Sequence, residues 1–390
     1  MWRFLTGLNK SDLTQEIQRI NPDLKKPYPF NNEQSFVKAT DISDSQLRAI
    51  KKLLANSGEI IIESATNEEN RLNVIFSVSP NSMNQFSKKI IDQKSDELVP
   101  LANLLQNISK DSWSYQCRNV ELKIDQPIIM GILNITPDSF SDGGKYFNED
   151  QAFKHATEMS EAGANIIDIG GESTRPESKP VSIEEEWQRI SNVINKLLNI
   201  NQIIISVDTY KSEIARRALD MGVHIINDIS GLTFDPEMGN VISEFRVPVI
   251  LMHIKGTPRD MQKNPLYQNL MDEVYQFFLK QSQLATAYGI EQIIVDLGIG
   301  FGKRPQDNFE LIRRLGEFKA LGYPILLGAS RKSFIGFGLQ DSQKDRKIGS
   351  ITSVVCGILN GANLVRVHDV DETKQALQMV KEVLNSKAIT

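Results

Sequence analysis

The chain has 390 residues, which is too long for one average domain, so we expect two domains. Hydrophobic residues make up 40% and charged residues 24%, as in ordinary globular proteins. The formal net charge of -5 argues against a nucleic-acid-binding protein, because such proteins carry a basic face. Two cysteines, Cys117 and Cys356, are too few for a disulfide framework, and no CxxC pair indicates a metal site.

The first residues, MWRFLTGLNKSDLTQEI, contain no long apolar stretch and no small-residue cleavage site, so we expect no signal peptide. No run reaches the roughly 18 uninterrupted apolar residues that a membrane span needs. We therefore predict a cytoplasmic protein whose partners include neither a membrane nor a nucleic acid.

Residues 1–125 predict a small α+β domain. Three helical patterns, DISDSQLRAIKKLLANSG, SMNQFSKKIIDQ and ELVPLANLLQNI, accompany two strand-like runs, EIIIESA and LNVIFSVS. The acidic residues are scattered in the way that is typical of solvated surface, and no catalytic motif is found. We interpret the region as an accessory domain of unknown role.

From about residue 126 onward, eight short runs rich in Ile and Val alternate with helical patterns. The runs are PIIMGILN, NIIDIGG, IIISVDT, HIINDIS, VPVILMH, IIVDLG, PILLGAS and LVRVHD. Continuous apolar runs of this length are typical of strands buried on both faces of a parallel sheet. Eight such units predict an α/β fold, a (β/α)8 TIM barrel over residues 126–390 preceded by the small α+β domain. A doubly wound open sheet is the alternative.

Each of the eight runs ends in or near polar residues. In a TIM barrel the active site lies at the carboxyl ends of the strands. The residues at these ends are Asn134, Asp168, Asp208, Asn227 with Asp228, His253, Asp296, Ser330 to Lys332, and Arg366 with His368. Buried polar groups cost free energy unless they are paired. A ring of them at one end of the barrel therefore predicts ligand recognition.

Part of this ring combines hydrogen-bond donors with acceptors. Its members are Asp208, Asn227, Asp296 and Lys332. Such a set suits a flat heteroaromatic ring with several nitrogens, and Met252 and Phe301 could pack against the two faces of that ring.

A second part of the ring suits an anion. A guanidinium at Arg366, an imidazole at His368 and an amide oxygen at Asn134 can bind phosphate, with a hard cation held through oxygen. The SRKS stretch that begins at Ser330 precedes a predicted helix, where backbone N–H groups favour a carboxylate. A plain helix start with a basic surface is the alternative for SRKS.

The motifs MGILNITPDSFSDGG, IIDIGGESTRP, VDT, IND, LMHIKGTP, DLGIGFGK, GASRKSFIG and RVHDV occur in this order. Their order and content resemble the dihydropteroate synthase family over roughly residues 126–387, with residues 1–125 as an N-terminal extension. The resemblance implies a TIM-barrel transferase that joins 6-hydroxymethyl-7,8-dihydropterin pyrophosphate to p-aminobenzoate, giving 7,8-dihydropteroate and pyrophosphate. A pterin-dependent methyltransferase and a non-catalytic pterin-binding protein are the alternatives.

The resemblance also implies roles for individual residues. The pterin is expected to bind to Asp168, Asp208, Asn227, Met252, Asp296 and Lys332. The p-aminobenzoate pocket, where sulfonamides are expected to compete, is expected to contain Phe140, Thr174, Arg175, Pro176, Phe301 and Ser330. The phosphates are expected to contact Arg366 and His368, with Asn134 as a ligand of Mg²⁺.

The reaction implied by the family is dissociative, so stabilisation of charge matters more than a strong base. The catalytic residues are then expected to be Asp208, Asp296, Lys332, Arg366 and His368. A homodimer formed by late barrel helices, including IGSITSVVCGILNGA, is also expected.

Three residues depart from the family pattern. Leu297 stands where the family usually has Pro, Glu177 stands where a small residue is usual, and Ile254 stands where Met is common. Because Glu177 adds an acid near the expected p-aminobenzoate carboxylate, it could change the affinity for that substrate or for sulfonamides.

Overall fold

A computed structural model of the chain describes residues 1–22, 35–55, 61–65, 71–92, 95–136, 149–175, 178–200, 203–341 and 343–386. Two compact units are formed, one by Met1–Asp111 with Arg313–Tyr323 and the other by Ser112–Ile312 with Pro324–Thr390. The division expected at residue 125 differs from these units in two ways. Residues 112–125 belong to the second unit, and residues 313–323 belong to the first.

The first unit contains a four-stranded antiparallel sheet in the order β1-β2-β4-β3. Its strands are β1 (Trp2–Leu5), β2 (Ser35–Ser43), β3 (Ile61–Ala65) and β4 (Arg71–Val78). Its helices are α1 (Lys10–Ile20), α2 (Asp44–Leu54), α3 (Pro80–Asp92) and α4 (Val99–Ile108), with 3-10 turns at Asp96–Leu98 and Leu315–Leu321. The small α+β N-terminal domain is confirmed, although the sequence did not predict β1, α1 or β2.

Helices α1 and α2 begin at capping boxes. Asn9 accepts a hydrogen bond from the backbone N–H of Asp12, and the Asp12 side chain accepts from the N–H of Asn9. Ser43 and Gln46 do the same at α2. Each box satisfies backbone donors that a helix start leaves without partners, so both helices have defined first residues.

A buried ionic network lies inside the first unit, centred on Glu16 of α1. Its carboxylate accepts hydrogen bonds from Arg3 Nη2 at 2.6 Å, Lys38 Nζ at 2.9 Å and Arg314 Nη2 at 3.1 Å. Arg314 Nε also donates to Glu317 Oε1 at 2.6 Å. Burial alone would raise the pKa of Glu16, but the three cations outweigh it and hold the pKa well below its ordinary value.

The second unit is a closed parallel barrel in the order β10-β11-β12-β13-β14-β7-β8-β9. Its strands are β7 (Ile128–Asn134), β8 (Ile166–Gly170), β9 (Ile204–Asp208), β10 (Ile225–Asp228), β11 (Val249–Met252), β12 (Ile293–Asp296), β13 (Ile325–Leu327) and β14 (Leu364–Val367). The last strand pairs with the first, Val365 lying beside Ile129. The TIM barrel is confirmed, and the open sheet is excluded by this closure.

Helices follow the strands along the chain. They are α5 (Glu149–Ala162), α6 (Ile183–Leu198), α7 (Ser212–Met221), α8 (Met238–Phe245), α9 (Leu270–Ala287), α10 (Pro305–Arg313), α11 (Ser333–Gly338), α12 (Lys347–Leu359) and α13 (Val370–Asn385). In the described parts of the chain, no helix is both long and apolar enough to cross a bilayer.

A hairpin of β5 (Trp113–Cys117) and β6 (Val120–Ile124) packs on the amino ends of the barrel strands. Its side chains alternate between buried and exposed, and the buried ones share one apolar cluster with first residues of barrel strands such as Ile128 and Ile166. Tyr115 Oη also donates a hydrogen bond to Ile293 O at 2.7 Å. Because this hairpin covers the amino ends, the carboxyl ends are the place for a ligand site.

Candidate active site

The expected polar residues lie together at the carboxyl ends of the barrel strands. Asn134, Asp208 and Asp296 are the last residues of β7, β9 and β12, and Met252 is the last of β11. Because all eight strands are parallel, these ends meet at one face of the barrel. The fold therefore brings residues together that lie far apart in the sequence.

Arg366 forms two ion pairs with carboxylates of other strands. Its Nε lies 2.6 Å from Asp168 Oδ2, and its Nη2 lies 2.8 Å from Asp208 Oδ2. Asn227 Nδ2 donates to the same Asp168 oxygen at 3.0 Å. The sequence places Arg366 with the phosphate-binding residues, whereas these contacts join it to the residues expected to bind the ring. The two expected groups are thus one network.

The second oxygens of the two carboxylates receive no hydrogen bond from the described part of the chain. Asp168 Oδ1 and Asp208 Oδ1 are buried and have no hydrogen-bond partner among the described residues. Burial raises the pKa of Asp208 to about 7, the neighbouring Asp168 acts in the same direction, and Arg366 opposes both. Since buried acceptors without donors cost free energy, these oxygens mark where N–H groups of a ligand can bind.

Asp296 and Lys332 face a common space beside Gly328. A Cβ atom placed on Gly328 would lie 3.6 Å from Asp296 Oδ2 and 3.8 Å from Lys332 Nζ. Burial raises the pKa of Asp296, and the positive charge of Lys332 acts to lower it. Burial of the ammonium end lowers the pKa of Lys332 to about 8, which Asp296 opposes. The pair offers an acceptor and a donor to one ligand.

An apolar wall lies beside this pair. Met252 belongs to a buried cluster against which Phe301 packs. The Phe301 ring lies 4.6 Å from Lys332 Nζ, measured to the ring centroid, and Lys332 Nζ also donates to Ile299 O. Met252 and Phe301 thus belong to one apolar surface beside Lys332.

Asn134 and Asp208 direct oxygens at the space beside Gly170. A Cβ atom placed there would lie 3.5 Å from Asn134 Oδ1 and 3.8 Å from Asp208 Oδ2. The described residues contain no group of three or more His, Cys, Asp or Glu side chains that could hold a metal by themselves. Mg²⁺ usually keeps several waters and is bound by one or two protein oxygens together with substrate phosphates. Asn134 Oδ1 fits such a site, whereas Asp208 Oδ2 already accepts a hydrogen bond from Arg366 Nη2.

His368 pairs with Ser330. Ser330 Oγ lies 3.0 Å from His368 Nδ1 and accepts a hydrogen bond from His368 N at 3.2 Å. Burial lowers the pKa of His368 to about 4, and Arg366 and Arg331 act in the same direction. His368 is therefore a neutral hydrogen-bonding group at pH 7, not a cation.

The loop after β8 begins at a buried anchor. Glu172 Oε2 accepts from Lys211 Nζ at 2.6 Å and from Val181 N at 3.2 Å, and Tyr210 Oη donates to Glu172 Oε1 at 2.8 Å. In this loop Thr174 is half-buried and Arg175 is exposed. The sequence did not predict this anchor, although Lys211 lies close after the strand end at Asp208. Phe140, Pro176 and Glu177 lie outside the described residues.

The sequence also did not predict a role for Lys303. Lys303, the last residue of the GFGK motif, is 2% exposed and lies 2.9 Å from His253 Nδ1. A lysine directly after a glycine-rich loop at a strand end is the signal that could have found it.

Comparison with known proteins places the chain in a family. Residues 130–368 match the family described as pterin binding enzyme. A dihydropteroate synthase of Synechocystis sp. is 48% identical over 250 residues, which cover 63% of this chain and 86% of the relative.

Two solved structures have the same barrel. Xanthomonas albilineans dihydropteroate synthase with 4-aminobenzoic acid has a TM-score of 0.67 and 38% identity, covering 71% of this chain and 100% of that one. Yersinia pestis dihydropteroate synthase in a complex with a sulfonamide drug has a TM-score of 0.67 and 40% identity, covering 70% of this chain and 100% of that one. The chain therefore belongs to the pterin-binding enzymes, and among them to the dihydropteroate synthases.

Proposed function

We propose that the network at the carboxyl ends of the strands holds the two substrates of this transferase. The chain is a dihydropteroate synthase, which joins 6-hydroxymethyl-7,8-dihydropterin pyrophosphate to p-aminobenzoate and releases pyrophosphate. The observation that carries the residue assignment is the pair of buried oxygens, Asp168 Oδ1 and Asp208 Oδ1, that lack donors among the described residues. A pterin ring presents N–H groups that can donate hydrogen bonds to such oxygens.

The pterin is proposed to lie among four polar side chains and one apolar wall. The polar side chains are Asp208, Asn227, Asp296 and Lys332, with Asp168 hydrogen-bonded to Asn227. The carboxylates accept from the amino and ring N–H groups, and Lys332 donates to a ring acceptor. Met252 contacts a ring face. Because the site is buried, each of these polar contacts discriminates against a ring that lacks the matching group.

Charge stabilisation follows from the same residues. Departure of pyrophosphate leaves positive charge on the pterin, which the carboxylates of Asp208 and Asp296 stabilise. Arg366 donates Nε and Nη2 to Asp168 and Asp208, so we assign its Nη1 to a phosphate oxygen. His368, being neutral, donates a hydrogen bond to the leaving group. Asn134 Oδ1 is assigned to Mg²⁺, which when bound supplies positive charge beside the phosphates.

The p-aminobenzoate pocket is proposed to lie between Phe301 and Ser330. Thr174 and Arg175 of the loop after β8 are assigned to the same pocket, as are Phe140 and Pro176. Sulfonamides are expected to compete there, and the Yersinia pestis relative was solved in a complex with such a drug.

We also propose a homodimer formed through α12. Two large apolar side chains of this helix are exposed, Ile348 at 78% and Leu359 at 56%. Exposed apolar residues of this size on one element are a common mark of a subunit interface. The cytoplasmic location stays a prediction from the sequence.

The test is one assay on the full-length protein. Labelled p-aminobenzoate, the pterin pyrophosphate and Mg²⁺ are expected to yield labelled dihydropteroate and pyrophosphate in equal amounts. A pterin-dependent methyltransferase would release no pyrophosphate, and a binding protein would retain pterin without forming product. Asp208→Asn is expected to lower kcat by about 100-fold, since it removes one preorganised charge from the site. Product formation at the unchanged rate by this variant would contradict the assignment of Asp208.

A further inference from the structure

Lys303 joins two loops that border the site. Its side chain is 2% exposed, although it carries an ammonium group. Lys303 Nζ lies 2.9 Å from His253 Nδ1, 3.2 Å from His253 O and 3.0 Å from Phe301 O. An ammonium group has three donors, so these contacts can satisfy all of them. One partner residue follows β11 and the other follows β12.

The two loops touch through their backbones. Gly298 has a φ of 65°, and a Cβ atom placed on it would lie 1.9 Å from His253 O. Gly302 has a φ of 61°, and its Cβ atom would lie 2.3 Å from Lys255 O. Since no other residue fits these positions, the loops are in close contact on both sides of Phe301.

The backbone of Phe301 is held from two directions. Its N–H donates to Gly298 O at 3.0 Å, and its carbonyl oxygen accepts from Lys303 Nζ. The ring then lies 4.6 Å from Lys332 Nζ. Phe301 is thus joined to Lys303 through its carbonyl group and to Lys332 through its ring.

The electrostatics around Lys303 are consistent with a positioning role. Burial lowers the pKa of Lys303 to about 7, Asp296 and Asp307 oppose this, and Lys332 and Lys255 add to it. Burial, together with Lys303 itself, keeps the pKa of His253 well below its ordinary value. His253 is therefore neutral, and in the tautomer with its proton on Nε2 its Nδ1 can accept a hydrogen bond from Lys303 Nζ.

We propose that Lys303 is a positioning residue for the second substrate, which sets the place of the Phe301 ring and thereby the affinity for p-aminobenzoate. The proposal rests on the assignment of Phe301 to the p-aminobenzoate pocket. Lys303 itself touches neither substrate. It acts through the Phe301 carbonyl group, which loses its buried donor when Lys303 is replaced by an apolar residue.

The experiment compares the variants Lys303→Met and Lys255→Met of the full-length protein. Met keeps the length of the side chain and removes the donors. Lys255 is the matched control, because it follows the same strand as His253 but is 40% exposed and pairs with Glu273. Lys303→Met is expected to raise the KM for p-aminobenzoate about tenfold, because a displaced ring loses its contact with the substrate. Lys255→Met is expected to leave that KM unchanged.

Two further measurements separate positioning from general loss of structure. The dissociation constant of a pterin analogue, measured by calorimetry, is expected to change less than about threefold in Lys303→Met. In a Phe301→Ala background, Lys303→Met is expected to change the KM for p-aminobenzoate by less than about twofold. The ring through which Lys303 is proposed to act is already absent from that background. Lys303→Arg replaces Lys303→Met in this cycle if the Met variant does not fold.

Distinct results separate the two proposals. If the unmodified protein forms no dihydropteroate, the proposed function is overturned. A protein that is active while Lys303→Met leaves the KM unchanged, or raises it equally with and without Phe301, would overturn the positioning role alone.

Discussion

Asp208 is a carboxyl group placed where ionisation is costly. Burial and the nearby Asp168 raise its pKa to about 7 from an ordinary value of 3.8, although Arg366 lies 2.8 Å away. One guanidinium serves both carboxylates, so it cannot offset the full cost of two buried negative charges. Ionisation of the Asp208 carboxyl group therefore becomes favourable when a cationic or N–H-bearing ligand binds beside it.

This shift predicts a pH dependence of stability. Because the folded-state pKa of Asp208 is raised, the folded protein holds a proton over a range in which the unfolded chain has lost it. The contribution of Asp208 to stability is therefore fully present below about pH 4 and is lost as the pH rises towards about 7. The measurement is the free energy of unfolding in urea, for the ligand-free protein and for Asp208→Asn, between these pH values.

The quantity of interest is the difference in unfolding free energy between the two proteins. The unfolding free energy of the unmodified protein minus that of Asp208→Asn is expected to fall as the pH rises. The variant has no group that ionises at this position, so it does not lose stability in this way. A difference that stays constant across the range would show that Asp208 is ionised in the folded protein throughout.

The β5–β6 hairpin closes the amino ends of the barrel. Residues of β6 alternate, so that Leu122 is 3% exposed while its neighbour Lys123 faces solvent. Leu122 packs in the same cluster as the first residues of the barrel strands. A short hairpin alone has marginal stability in water, so the barrel and hairpin stabilise each other.

Leu122→Ala is therefore expected to destabilise the barrel by about 2–5 kcal/mol, the range for removing a buried leucine side chain. Lys123→Ala, one residue along the same strand, is expected to change stability by less than about 0.5 kcal/mol. Both values come from equilibrium unfolding followed by circular dichroism. Equal effects of the two variants would mean that the hairpin is not part of the barrel core.

The barrel strands could be predicted from the sequence because strands buried on both faces leave continuous apolar runs. The hairpin could not, because its turn has Arg118 at a φ of 57° in place of the glycine that usually marks such a turn. Strand-end positions also predicted which residues meet at the site. They did not predict that Arg366 reaches Asp168 and Asp208, since side-chain reach across a barrel depends on the fold, not on spacing in the chain.

The first unit is built from two separate parts of the chain. Arg313–Tyr323 belongs to it, although the residues on both sides belong to the other unit. Within this segment Leu315 and Phe318 are fully buried, and Arg314 and Glu317 join the network around Glu16. A shortened chain beginning at Ser112 would keep this segment and lose the residues that pack around it, so poor solubility is expected of it.

Glu16→Gln is expected to destabilise the first unit by about 3–5 kcal/mol, because it leaves buried cations without their counter-charge. Arg19→Gln is the matched control, since Arg19 is 37% exposed and pairs with the same carboxylate at 3.4 Å. A change of no more than about 1 kcal/mol is expected for the control. Thermal and urea unfolding of both full-length variants measure these values, and equal destabilisation would contradict a central role for Glu16.

The divided first unit also has a consequence during synthesis on the ribosome. Glu16 and its partner Arg314 are separated by 298 residues. At about 5–20 residues per second, the early residues wait roughly 15–60 s before Arg314 leaves the ribosome. Domains usually complete their folding in the order of synthesis, but this one cannot, because its ionic core is unfinished until most of the barrel has been made. The nascent chain is thus expected to need protection by chaperones throughout that interval.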